Sequence, residues 1–152
     1  MKAKRPYRFE ARQPQQTSGI SKMRALQRVA FIGNHLPRRC GIATFTHDLH
    51  RAVSTSRQDV ETSVVAMTNP GNTYDYPSAV GFQVREDRFD DYAQAAKFLN
   101  DANFDVVSLQ HEYGIFGGEA GGNVVDLLTR LNMPVVTTLH TVLAHQPRPN
   151  MT

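Results

Sequence analysis

The sequence has 152 residues, 40% of them hydrophobic and 20% charged, which is one globular domain's worth of material. No apolar run approaches the ~20 residues of a membrane helix, and a single cysteine, Cys40, excludes an internal disulfide and a cysteine zinc cage. The formal net charge of +3 is misplaced as a guide to partners. Lys2, Lys4, Arg5, Arg8, Arg12 and Lys22 stand against Glu10 alone, so the remainder is slightly acidic.

Residues 1–27 read as a disordered basic tail, rich in Pro, Gln and Ser and without apolar periodicity. Its basicity suits an arm on nucleic acid or an anionic surface, or a plain solvated tail, or an extension upstream of a true start at Met23. No apolar stretch follows the basic residues, so no secretory signal is read, and a cytoplasmic protein is expected. Residues 28–152 form the expected domain.

Val29–Gly33 is a short continuous apolar run, the pattern of a strand buried on both faces of a parallel sheet. A loop through Cys40 leads into a helix with Ile42, Phe45, Leu49, Ala52 and Val53 on one face. Val60–Met67 is a second strand, and 68–78 a polar loop with two prolines. Val80, Phe82 and Val84 alternate as a third strand. Phe89, Tyr92, Ala96 and Leu99 mark a second helix with Asp90 and Asp91 in its first turn. Phe104–Gln110 is a fourth strand. A third helix carries Ala120, Val124, Leu127, Leu128 and Leu131, and Pro134–Leu139 is a fifth strand. This order predicts an α/β domain, a Rossmann-like, mostly parallel sheet with helices on both faces.

Ligands of such sheets sit beyond the carboxyl ends of the strands. His35 follows the first strand, His111 and Glu112 the fourth, and His140 the fifth, so they are expected to converge on one rim. Gly41–Ile42–Ala43–Thr44 opens a helix at that rim, where free N–H groups and the dipole favour a phosphate; Arg38 and Arg39 would add charge. The alternative is a plain strand-to-helix turn. Glycines at 114, 117, 118, 121 and 122 form either a loop approached closely by a ligand or a bare connector. No G-x-G-x-x-G, no acid after the second strand, no P-loop and no G-x-S-x-G are present, which disfavours dinucleotide oxidoreductases, P-loop ATPases and serine hydrolases.

Pro37–Thr46, Gln110–Gly118 and Thr138–Thr141 together resemble the N-terminal domain of retaining glycosyltransferases of family 4, over roughly residues 28–145. That family has the GT-B architecture, two Rossmann-like domains facing across a cleft. The resemblance implies that Gly41, Ile42, Ala43 and Thr44 lie near the donor diphosphate. His111, Glu112, Tyr113, Gly117 and Gly118 fall in the segment lining the acceptor side, with no specific role for Glu112. His140 matches the family histidine that contacts the transferred sugar at the catalytic centre. No metal or cofactor is implied; a nucleotide sugar is the co-substrate, a carbohydrate or other hydroxyl the acceptor, and nucleic acid is not a partner. The family's C-terminal donor-binding domain has no counterpart here, so a truncated chain, inactive alone, is expected. Two other readings remain: a non-catalytic binding module or inactive remnant, and a metal hydrolase using His35, His111, Glu112 and His140.

Overall fold

The computed structural model describes residues 25–142. The basic tail through Arg24, the question of a start at Met23, and the Pro-rich segment 143–152 lie outside the described residues. Five strands and three helices follow in chain order: β1 (Arg28–Gly33), α1 (Gly41–Ser56), β2 (Glu61–Thr68), β3 (Val80–Arg85), α2 (Phe89–Asp101), β4 (Val106–His111), α3 (Val124–Thr129) and β5 (Val135–Leu139). Two short 3-10 turns, Tyr113–Ile115 and Glu119–Gly121, occupy the β4–α3 connection. The sheet runs β3-β2-β1-β4-β5, and every pair is parallel. This is the expected Rossmann-like α/β fold.

Central position explains the apolar run of β1. Every residue from Arg28 to Gly33 is buried, because β2 and β4 flank the strand and helices cover both faces. Val29, Phe31, Val64 and Ala66 face α1 and meet its Leu49 and Val53. Ala30, Ile32, Val65, Met67, Val107 and Leu109 face the other way, onto Tyr92, Ala95, Ala96 and Leu99 of α2 and Val124 and Leu127 of α3. At the amino end of the sheet, the Asp105 carboxylate accepts the Gln27 and Arg28 backbone N–H groups at 2.7 and 2.8 Å. Gln27, assigned above to the tail, is therefore tied to the domain.

Four expectations from the sequence need correction. On α1 the fully buried residues are Ala43 and Thr46, whereas Ala52 is exposed and Phe45 is 43% exposed. The helix crosses the end of β1 too closely for a large side chain: a Cβ on Gly33 would lie 2.9 Å from Thr46 Oγ1. In β3, Val80 joins the α1 side while Phe82 and Val84 join the other. The register with β2 shifts between Val64 and Val65, and Gly81 is the residue skipped. A Cβ there would meet Ser63 Oγ at 2.5 Å. Ala120 lies outside α3, exposed in a 3-10 turn at φ 50°. Finally, β4 begins at Val106; Phe104 is buried in the turn before it.

Candidate functional site

The chain leaves β1 toward β2 on one side, while β4 lies on the other. The loops after β1 and β4 thus diverge, and the carboxyl rim between them is the position where sheets of this topology bind ligands. Each predicted site segment borders this rim, but their side chains point to different partners.

At the start of α1, Cys40 is an extended N-cap whose Sγ accepts the Ala43 N–H at 3.4 Å and the Asn34 Nδ2–H at 3.3 Å. The Thr44 N–H goes to the Cys40 carbonyl at 3.2 Å. Of the predicted donors, Ala43 and Thr44 are therefore occupied. The Gly41 and Ile42 N–H groups meet no acceptor among the described residues, and Gly41 has open space where a Cβ would be. The charge expected from Arg38 is neutralised. Its guanidinium pairs with the Glu86 carboxylate and donates to Asn34 Oδ1 at 3.0 Å, fastening the β1–α1 loop to the turn after β3. Arg39 remains exposed.

His140, half-buried after β5, lies on the α1 side of the sheet. Its Nε2 is 3.2 Å from Gln110 Oε1, and its ring meets Phe45 of α1 edge-on with centroids 4.8 Å apart. His111 is oriented otherwise, against Phe116 at 5.8 Å and Tyr113 at 5.2 Å. Its buried Nδ1 has no hydrogen-bond partner among the described residues. Glu112 acts as a clasp: Oε1 accepts the Tyr113 N–H at 3.0 Å and Oε2 accepts the Thr141 hydroxyl.

His35 is completely buried. Its Nδ1–H donates to the Leu36 carbonyl at 2.9 Å, and its Nε2 lies 3.4 Å from His47 Nδ1. Burial holds its pKa below the usual imidazole range; the Leu36 carbonyl opposes this and the neighbouring His47 adds to it. The expected convergence of His35, His111 and His140 therefore extends to the rim and not to a common point. Among the described residues no group of three or more His, Cys, Asp or Glu side chains is placed to hold a metal ion. The metal-hydrolase reading loses its geometric basis, because its four residues are engaged with separate partners.

No family model, curated protein or solved structure matches this chain.

The glycine loop is built around Tyr92. Its hydroxyl donates to the Glu86 carbonyl at 3.0 Å and accepts the Gly117 N–H at 2.8 Å. A Cβ on Gly117 would fall 1.8 Å from the Glu86 carbonyl oxygen. Gly118, at φ 84°, abuts Asn123, whose Oδ1 would lie 2.5 Å from an added Cβ. These two glycines permit a close approach of protein to protein.

Sequence reasoning did not single out Gln110, Phe45, Glu86 or Tyr92 for the site. Gln110 carried a usable signal: a polar residue two positions beyond Ser108, closing a strand that is otherwise mostly apolar. Such a residue, when buried, must hydrogen-bond something near the strand end.

Proposed function

We propose that this chain supplies the acceptor-side half of a glycosyltransferase. It would move a sugar from a nucleotide-sugar donor to a hydroxyl acceptor, with retention at the anomeric carbon. The observation that carries the reading is the placement of His140. It is held by Gln110 and Phe45 at the rim where α1 presents the open Gly41 and Ile42 N–H groups. A sugar diphosphate needs both elements, donors for the phosphate charge and a hydrogen-bonding group near the sugar.

In the reaction, the bond between the anomeric carbon and the diphosphate oxygen breaks, and its electron pair leaves with the diphosphate. The acceptor oxygen bonds to that carbon, and its proton passes to the departing phosphate oxygen. Negative charge grows on the diphosphate, so N–H groups and a helix dipole aimed there bind the transition state more tightly than the ground state. His140 would orient the sugar through a hydroxyl. The nucleoside would be held by a second Rossmann-like domain, as the family resemblance implies.

Amide NMR titration of the 152-residue chain with a panel of nucleoside diphosphate sugars tests this. The expected result is a saturable shift of the Gly41–Thr44 amides together with the His140 ring signals. Saturable shifts confined to other surfaces would refute the reading. A non-catalytic docking module is the second reading. It is favoured by the edge strand β5, whose Val136 and Leu139, on opposite faces of the sheet, are 61% and 57% exposed, with Val142 just beyond it at 75%.

A further inference from the structure

We propose that Gln110 is a positioning residue that fixes the His140 imidazole with its proton on Nε2, leaving Nδ1 as a lone-pair acceptor for a hydroxyl of the bound ligand. The ligand half of this statement rests on the glycosyl-transfer reading; the tautomer does not.

Side chains on one face of a strand recur every second residue, so Ser108 and Gln110 share the α1-facing side of β4. Gln110 is completely buried. A buried amide must satisfy both its ends. Its Nε2 donates to Ser108 Oγ at 3.0 Å, which turns Oε1 toward His140 Nε2 at 3.2 Å. Gly33, the neighbouring strand's last residue, makes room for this course. A Cβ there would lie 3.0 Å from Gln110 Cβ and 3.4 Å from its Cγ.

The imidazole is held from other directions too. The His140 N–H donates to the His111 carbonyl at 3.0 Å, and Phe45 contacts the ring edge-on. An amide oxygen only accepts, so the facing ring nitrogen carries the proton, and a neutral imidazole then has its lone pair on the other nitrogen. His140 Nδ1 meets no partner among the described residues. A group of this kind takes an O–H donor. It repels the lone pairs of a carboxylate or phosphate, so this position selects a neutral hydroxyl beside a phosphate-binding helix turn.

The test uses the 152-residue chain with ring-15N histidine, without nucleotide, at a pH where ordinary imidazoles are neutral. His140 is identified by the signal lost in His140→Ala. The expected spectrum shows a directly detected Nε2–H and an unprotonated Nδ1. In Gln110→Leu, exchange of that proton with water should accelerate about tenfold, the worth of one hydrogen bond. Ser108→Ala, which frees the amide to rotate, should give a smaller acceleration. A proton on Nδ1 in the unmodified chain, or equal exchange in the unmodified chain and Gln110→Leu, would overturn the proposal. If Gln110→Leu does not fold, the unmodified chain and Ser108→Ala still decide it. The nucleotide-sugar titration has separate readouts, so either idea fails without the other.

Discussion

Tyr92→Phe tests whether the hydroxyl of Tyr92 holds the glycine loop in place. The side chain is fully buried, and its oxygen bridges two backbone groups, the Glu86 carbonyl at 3.0 Å and the Gly117 N–H at 2.8 Å. Phenylalanine keeps the ring and its packing on Ala95, Ala96 and Leu99 but leaves both backbone groups without their partner. An unsatisfied buried polar group costs about 1–3 kcal/mol. Glu86 is 8% exposed, so its carbonyl bears most of that penalty, while the half-buried Gly117 N–H recovers part of its loss from water. Together the two place the destabilisation at about 2–4 kcal/mol. That is a large share of a domain's usual ~5–15 kcal/mol. Urea unfolding followed by circular dichroism should show a lower midpoint with an unchanged slope, since the surface exposed on unfolding hardly changes. A loss below about 0.5 kcal/mol, the range of an ordinary surface substitution, would show that the hydroxyl bridge does not hold this loop.

Four other outcomes follow from the same structure. Gly117→Ala should destabilise by at least about 3 kcal/mol, since the added carbon meets backbone at 1.8 Å and the loop must shift; Gly41→Ala, with open space around it, should be neutral or stabilise by up to about 1 kcal/mol in the same unfolding assay. His111→Phe removes a buried Nδ1 that has no hydrogen-bond partner among the described residues and should be neutral or stabilise by up to about 1 kcal/mol, while abolishing any ligand-induced shift that depends on that ring. Acid should weaken the fold through His35 and His50. Burial depresses both pKa values, with the neighbouring histidines adding to the effect, so the unfolded chain binds more protons than the folded one once the pH falls below the ordinary imidazole value. Stability is then complete above pH ~6.5 and declines as the pH drops from there toward the depressed folded values. A pH series of urea midpoints should show a shallower slope in His50→Gln, with the His35 contribution remaining, and an unchanged slope would count against the account.

The predicted sites divide according to how far sequence position constrains a side chain. His35 and His140 follow strands and His111 ends one, and strand ends are legible, so all three border the carboxyl rim as expected. Their bonding partners come from elements distant in the sequence, His47 on α1 for His35 and Gln110 on β4 for His140. No spacing rule relates such pairs. Arg38 shows the same limit: a cation beside a helix start reads as a phosphate ligand until the turn after β3 brings Glu86 against it. On α1, Ile42, Leu49 and Val53 pack against the core as expected, and Phe45 departs from the expectation for a different reason. Periodicity ranks Phe45 as a core residue by hydrophobicity alone, but the approach of α1 to Gly33 admits only Ala43 and Thr46.

By itself the sequence determined the alternation of strands and helices, because continuous apolar runs and amphipathic spacing are local consequences of burying backbone in a covered sheet. From that alternation came the parallel α/β class and the rim on which the polar residues fall. Only the tertiary structure decided which of those residues remain open to a ligand. Hydrogen-bond partners, ion pairs and close approaches join residues far apart in the chain; among the described residues they leave the Gly41 and Ile42 N–H groups and His140 Nδ1 without a partner while engaging Arg38 and Glu112 within the protein.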